Sequence, residues 1–141
     1  MLKNISSIYF LGIGGIGMSA LARWVKSKQF NVQGWDDDVE NPLLELLDQE
    51  GIKVHNKIND PSFISFLKDI HLKKNILVYT PAVSENHEVF KLFKSKGVNS
   101  YKRADLLQHI SKSYKVVAIS GTHGKTTISV MLSHILRHSG I

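Results

Sequence analysis

Residues 5–22, ISSIYFLGIGGIGMSALA, comprise an apolar run, a glycine-rich turn and the start of a helical pattern. The run from Ile5 to Leu11 has the composition of a short buried strand, and Met18, Leu21 and Ala22 recur at helical spacing. A strand that passes at once into a helix is the repeating unit of α/β folds with a parallel sheet. This stretch therefore predicts the first unit of such a sheet.

The same alternation continues along the chain. Further strands are predicted at residues 31–35, 52–55, 75–79 and 98–101, with helices at 43–49, after the Asp60-Pro61 cap, after an Asn86 cap, and at 104–110. We therefore expect an α/β fold in which residues 1–110 form a Rossmann-like domain around a parallel five-stranded sheet.

A small polar stretch at residues 111–114 predicts a linker, after which the cycle restarts. A strand is predicted at Lys115 to Ile119 and a helix at Lys125 to His138, as the first βα unit of a second α/β domain at 115–141. Because one such unit cannot bury a core, we expect the chain to be part of a longer protein. We also expect Ile128, Leu132 and Ile135 of that helix to be partly exposed.

Composition excludes several classes of function. The chain has 141 residues, 43% of them hydrophobic, and contains no cysteine, which rules out disulfides, thiolate metal sites and cysteine nucleophiles. It shows neither a secretory signal nor an apolar run near the ~20 residues that cross a bilayer, so we expect a cytoplasmic protein without membrane insertion. The net charge of +6 comes mainly from dispersed lysines, which favours anionic small ligands over nucleic acid. The oligomeric state stays open.

The first glycine-rich turn fits G-x-G-x-x-G through Gly12, Gly14 and Gly17, between a predicted strand and a predicted helix. Glycines let backbone N–H groups approach a pyrophosphate, and the helix N-terminus adds partial positive charge. Asp36 ends the second strand at about the offset of ~20 residues expected for a ribose contact. The pattern does not distinguish between NAD, FAD and a UDP-sugar as the ligand. The alternative interpretation is a tight turn that binds nothing.

The second turn, Gly121 to Thr127, has the sequence GTHGKTT and contains the Gly-Lys-Thr core of a phosphate-binding loop. Ile119 stands where the strict pattern has its first glycine, so this is a shorter variant. Lys125 lies where the helix dipole disfavours a cation, which is explained if an anion compensates. We therefore favour phosphate binding over a basic helix start without a ligand.

The two turns together resemble those of the Mur ligase family of peptidoglycan synthesis. The stretches VYTPAVSENHE at 78–88 and YKRADLL at 101–107 agree, so the resemblance covers essentially the whole chain. GIGGIGMSALA at 12–22 is most similar to the branch that adds the first amino acid. The resemblance implies an N-terminal UDP-binding domain, a central ATPase domain and a C-terminal domain.

The resemblance also implies two sites. The UDP-N-acetylmuramate site would comprise Gly12, Gly14, Gly15, Gly17, Asp36, Thr80, Pro81 and Ala82. The ATP site would comprise Gly121, Thr122, His123, Gly124, Lys125, Thr126 and Thr127, with Lys125 as the catalytic residue on the β- and γ-phosphates and Thr126 on Mg²⁺. Trp35 precedes three aspartates, Asp36 to Asp38, and which of them faces the ligand stays open.

In the reaction that the resemblance implies, ATP phosphorylates the substrate carboxylate and the amine of L-alanine attacks the acyl phosphate. Amide, ADP and phosphate result. We expect no amide formation by these residues alone, because the family's further metal ligands and amino-acid-binding domain would follow Ile141. The alternatives are the related peptide-recycling ligase, a UDP-sugar-binding domain without catalysis, and a NAD-binding module with an incidental Gly-Lys-Thr.

Overall fold

The computed structural model describes residues 2–71 and 73–140. The chain divides into two compact units, Met1–Ile110 and Ser111–Ile141. The elements of the first run β1 (Ser7–Leu11), α1 (Ile16–Ser27), β2 (Asn31–Trp35), α2 (Pro42–Gln49), β3 (Lys53–His55), α3 (Pro61–Lys68), β4 (Asn75–Tyr79), α4 (Glu88–Ser95), β5 (Asn99–Lys102) and α5 (Arg103–Ser111).

The sheet is five-stranded and entirely parallel, in the order β3-β2-β1-β4-β5. This confirms the predicted α/β, Rossmann-like class. The order reverses at β1, which pairs with β2 on one side and with β4 on the other. In open parallel sheets a crevice forms outside the carboxyl ends of the strands at such a reversal.

Helices cover both faces of the sheet. Successive strand residues point to opposite faces, and both faces carry apolar side chains that the helices bury. One buried cluster joins Ile8, Phe10, Ile76 and Val78 to α1, α2 and α5 through Met18, Leu21, Ala22, Val25, Leu47 and Leu106. The other joins Tyr9, Leu11, Trp35 and Leu77 to α3 and α4 through Phe63, Leu67, Val89, Phe90 and Phe93. Strand β1 therefore contributes to both cores, which explains its continuous apolar sequence.

Side-chain caps fix where three of the helices begin. Asn41 accepts a hydrogen bond from the Leu43 N–H at the start of α2, and Asp60 accepts one from Ser62 at the start of α3. The predicted Asn86 cap is wrong. Its N–H donates to the Ser84 hydroxyl within a turn, and His87 caps α4 one residue later.

Gly34 in β2 lies against Ile13 of the first glycine-rich turn. A Cβ atom there would lie 2.5 Å from Ile13 Cδ1 and 2.9 Å from the Phe10 carbonyl oxygen. Real Cβ atoms do not approach neighbours this closely, so only glycine lets Ile13 pack against the strand. Sequence patterns did not single this glycine out.

The second unit contains the predicted helix, α6 (Lys125–His138). No strand forms at 115–119, so that prediction is wrong for this chain. A parallel strand needs a neighbour to pair its backbone groups, and none is offered by the described residues of the unit. As expected, Ile128 and Ile135 are 51% and 58% exposed, and Leu132 is half-buried. No helix in the described ranges is long and apolar enough to span a membrane.

Replacing Gly34 by alanine should destabilise the first unit by about 1–3 kcal/mol, because the added methyl group overpacks a region bounded by backbone. Urea unfolding followed by tryptophan fluorescence measures the loss. Gly15→Ala is the matched control, since a Cβ there meets nothing closer than 3.7 Å; it should cost about 1 kcal/mol or less. Equal losses in both variants would contradict the packing argument.

A second prediction concerns His55, which is 1% exposed and pairs through Nδ1 with the Tyr9 hydroxyl at 3.1 Å. Burial lowers the pKa of His55, while it raises that of Tyr9, so the tyrosine donates and the imidazole stays neutral. The unfolded state therefore takes up a proton first, and stability should fall as the pH drops below about 6.5, by up to about 1.4 kcal/mol per unit.

The lowered pKa values of Asp37 and Asp60 act separately, because their stabilising contribution is lost only below about pH 4. Urea unfolding at several pH values between 7 and 5 isolates the histidine. His55→Asn, which keeps an acceptor for Tyr9 but does not titrate, should flatten the dependence in that window. An unchanged slope in the variant would assign the effect to other groups.

Candidate functional site

The first glycine-rich turn is fastened to the end of β2. The N–H groups of Gly12 and Ile13 both donate to the Trp35 carbonyl, at 2.8 and 3.1 Å. Gly12 has a φ of +80°, and a Cβ there would lie 2.7 Å from Thr80 Cγ2. The turn therefore needs glycine for its conformation and for its contact with the residue after β4.

Asp36 holds the middle of the same turn. Its Oδ2 accepts the Gly14 N–H at 2.6 Å and its Oδ1 accepts the Asp38 N–H at 3.1 Å. Asn41 donates to the Gly14 carbonyl at 3.2 Å, so the backbone of Gly14 is bound on both sides. A Cβ on Gly14 would lie 2.7 Å from Asn41 Nδ2 and 2.9 Å from Asp36 Oδ2.

A cavity of about 340 Å³ lies at the reversal of strand order, beyond the carboxyl ends of the strands. Five of the residues expected at the UDP-sugar site line it together: Gly12, Gly15, Asp36, Thr80 and Ala82. It is completed by Leu11, Met18, Trp35, Asp37, Asp38 and Val83. Gly14, Gly17 and Pro81 do not line this cavity. Helix α1 begins beside it with neither a side-chain cap nor an acidic residue in its first turn, an arrangement suited to an anion.

Asp37 forms hydrogen bonds with two side chains, a contact that the sequence analysis did not predict. Its two carboxylate oxygens accept from Trp35 Nε1 at 2.7 Å and from His87 Nε2 at 2.9 Å. His87 Nδ1 accepts the Val89 N–H at 3.2 Å, which places the ring proton on Nε2. Burial works to raise the pKa of Asp37, but the hydrogen bonds from Trp35 and His87 outweigh it and the pKa lies below its ordinary value.

This contact, Trp35–Asp37–His87, joins the end of β2 to the start of α4 on the other side of the strand-order reversal. Each oxygen of the Asp37 carboxylate accepts one hydrogen bond in this contact, whereas the Asp36 carboxylate accepts from the backbone of the glycine turn and of Asp38. Neither histidine spacing nor charge pattern in the sequence signals His87. The sequence does offer a signal for another residue near the turn, Asn41. Its Asn-Pro pattern predicts the cap of a helix.

The second glycine-rich turn lies in the other unit and is exposed throughout. Gly121 and Gly124 have φ values of 147° and 77°, and Gly124 is the N-cap of α6. The Lys125 ammonium folds back onto its own loop and donates to the carbonyls of Gly121 at 2.5 Å and Thr122 at 3.3 Å. His123 Nδ1 lies 3.2 Å from the Thr122 hydroxyl. The lysine charge thus lies against its own loop.

Metal-ligand chemistry is sparse in the part of the chain that the structure describes. Within residues 2–71 and 73–140 no group of three or more histidine or acidic side chains is placed to hold a metal. Thr126 and Thr127 offer exposed hydroxyl groups in the first turn of α6. This suits Mg²⁺, which keeps several water ligands and takes others from phosphate oxygens.

Comparison with known proteins identifies the family. Residues 7–115 match the model described as the Mur ligase family, catalytic domain. The chain belongs to the Mur ligase family. The matched segment contains the first glycine-rich turn and all five strands, and it ends before the loop at 121–127.

Curated relatives from the family extend the match over both turns. A UDP-N-acetylmuramate–L-alanine ligase from Cytophaga hutchinsonii is 40% identical over 142 residues, which cover 99% of this chain and 29% of that enzyme. One from Flavobacterium psychrophilum is 41% identical and is covered to 30%. The chain therefore spans less than a third of the length of these Mur ligase relatives.

Solved Mur ligase structures share the fold. A murein peptide ligase from Psychrobacter arcticus matches with a TM-score of 0.80 and 27% identity, covering 96% of this chain and 27% of that one. The UDP-N-acetylmuramate–alanine ligase from Thermotoga maritima matches with a TM-score of 0.75 and 28% identity, covering 94% and 29%. The fold of this chain thus matches that of solved Mur ligase structures.

Replacing Asp36 by alanine should destabilise the first unit by about 1–3 kcal/mol, because the buried Gly14 N–H loses its acceptor. Asp38→Ala removes the same charge from an exposed side chain and should change stability by about 0.5 kcal/mol or less. Urea unfolding without ligand compares the two. A loss no larger for Asp36 than for Asp38 would show that the carboxylate does not hold the turn.

Proposed function

We propose that the chain binds UDP-N-acetylmuramate at the cavity beside the first glycine-rich turn and ATP at the loop 121–127. It would provide these sites to a cytoplasmic ligase that joins L-alanine to the sugar nucleotide in peptidoglycan synthesis. The observation that carries the proposal is the match to curated enzymes of that name over 99% of the chain, which includes both turns. In domain terms, residues 1–110 would bind the UDP-sugar, 111–114 would be a linker and 115–141 would begin the ATP-binding domain.

The first cavity is suited to a nucleoside diphosphate. The amides of the turn and the N-terminus of α1 would receive the diphosphate, whose charge they complement. Asp36 lines the cavity with both oxygens already bonded to backbone. A carboxylate has about four acceptor positions, so Asp36 can still accept from a ribose hydroxyl. Thr80 and Ala82 would lie along the nucleotide from the β4 side.

The loop at 121–127 is suited to a triphosphate. Lys125 would exchange its loop carbonyls for the β- and γ-phosphate oxygens, and Thr126 would contribute a hydroxyl ligand to Mg²⁺. When bound, Mg²⁺ neutralises phosphate charge during transfer. In the proposed reaction, ATP phosphorylates the muramate carboxylate, the amine of L-alanine attacks the acyl carbon, and phosphate leaves. The described residues would act by positioning and by neutralising charge, which is the main protein contribution to phosphoryl transfer.

The second candidate is the peptide ligase, favoured by the TM-scores of 0.80 to two solved murein peptide ligases. One of them is named as the ligase of UDP-N-acetylmuramate with L-alanyl-γ-D-glutamyl-meso-diaminopimelate. The UDP-sugar proposal is therefore common to both candidates, which differ in the amine. The identities of about 40% to curated alanine ligases, against 26–27% to the two peptide ligases, favour L-alanine.

Calorimetric titration of two variants tests the two sites separately. Gly14→Ala should weaken UDP-N-acetylmuramate binding by about tenfold or more, because its methyl group displaces Asn41 or Asp36 from the turn. Lys125→Ala should weaken ATP binding by a similar factor through the loss of a charge-assisted contact. Each variant should bind the other ligand as the parent chain does.

NADH serves as the control ligand, and circular dichroism checks that both variants keep their helix content. Tight NADH binding without a response to UDP-N-acetylmuramate would replace the proposal by a NAD-binding module. A normal UDP-sugar response with no ATP response in the parent chain would leave a UDP-sugar-binding domain alone.

A further inference from the structure

The cavity beside the first glycine-rich turn is bounded by two segments that are distant in sequence. Trp35 and Asp37, at and just beyond the end of β2, belong to the first. The second is the loop at residues 80–87, which joins β4 to α4 and reaches the cavity through Thr80 and Val83. Because β2 and β4 flank β1 on opposite sides, these two segments bound the cavity from opposite directions.

A hydrogen bond between His87 and Asp37 joins the two segments. The Asp37 carboxylate accepts from His87 Nε2 at 2.9 Å and from Trp35 Nε1 at 2.7 Å, so it is held at both oxygens. In the part of the chain that the structure describes, the other hydrogen bonds of residues 80–87 stay within the loop or run to α4. The distance of this loop from the end of β2 therefore depends on the His87–Asp37 contact.

The contact lies where the base of a bound nucleotide would be placed. With the diphosphate at the glycine turn and the ribose at Asp36, the base is the next group along, between the end of β2 and the loop at 80–87. The cavity volume of about 340 Å³ is near the lower end of the range of about 300–1,000 Å³ found for small-molecule sites. A purine has a second fused ring and needs more room between these segments than a pyrimidine does.

We propose that His87 is a specificity-determining residue, whose hydrogen bond to Asp37 holds the two segments at a separation that admits a pyrimidine base and disfavours a purine. The inference rests on the proposed function, which it deepens by naming what selects the base. His87 does not line the cavity and acts through Asp37 and its own loop, so it is a positioning residue. Specificity of this kind is a difference between two affinities, and it requires a boundary that does not yield to the larger ligand.

A purely structural role is the alternative, because His87 also caps α4 and its ring lies edge-on to Trp35, with the ring centroids 6.3 Å apart. His87→Asn separates the two roles, since asparagine is a favourable N-cap but its side chain is too short to reach Asp37. Asp37→Asn breaks the same contact from the other side, because an amide has one acceptor oxygen for two donors. Glu85→Gln, at an exposed position of the same loop, is the matched control for loss of a carboxylate.

Displacement of UDP-N-acetylmuramate from the 141-residue chain by UDP or by ADP measures base preference at this site. Ligand-observed NMR of the N-acetyl methyl group reports occupancy of this site only, so ADP bound at the loop 121–127 does not interfere. The parent chain should prefer UDP by about tenfold or more, and His87→Asn and Asp37→Asn should each reduce that preference by about fivefold or more. The double variant should lose no more than the more affected single variant, because both remove one contact. Glu85→Gln should keep the preference of the parent chain.

Urea unfolding shows that each variant is folded, and either His87→Asn or Asp37→Asn alone decides the inference. An unchanged preference for UDP, or an equal loss of affinity for UDP and ADP, would overturn it and leave the structural role. The same change in Glu85→Gln would assign the effect to charge near the loop, and a parent chain without a preference for UDP would also overturn the inference. Failure of the parent chain to bind UDP-N-acetylmuramate would instead overturn the proposed function, which distinguishes the two failures.

Discussion

The architecture of the first unit depends on how the end of β1 is bonded to the end of β2. Two N–H groups of the turn share the Trp35 carbonyl, and a third donates to the Asp36 carboxylate at 2.6 Å. These bonds hold the turn over the reversal of strand order, where no further strand is available to pair with it. Gly34 makes them possible, because it lets Ile13 reach the strand. The fold and the cavity therefore share one set of contacts.

Most of the fold was predictable from the sequence, because its information is local. β2, β4 and α6 have the predicted bounds, since each is a periodic or apolar run between clear stop signals. Asn86 failed because two adjacent residues can cap, and Ser84 captured its backbone in a turn. The strand at 115–119 failed because a strand exists only with a neighbour, which local composition does not report.

The site was predictable only in part. Glycine patterns identify residues whose own conformation is special, such as Gly12 and Gly124. They do not reveal which side chains approach the site from distant elements, and His87 is one of these. The three consecutive aspartates show the limit of prediction from sequence, because identical residues form different contacts. Asp36 holds the turn and Asp37 binds Trp35 and His87, a division that depends entirely on tertiary contacts.

The position of the Lys125 ammonium has a consequence for selectivity at the second turn. The ammonium already donates to two carbonyl oxygens of its own loop. Any ligand of Lys125 would therefore compete with these two acceptors. Affinity is then a difference between two occupied states, and a weak acceptor gains little by replacing the carbonyls. Only a ligand with a higher negative charge density than the two carbonyl groups would lower the free energy by replacing them. At the proposed ATP site, this exchange would favour polyphosphates over singly charged anions of the same size.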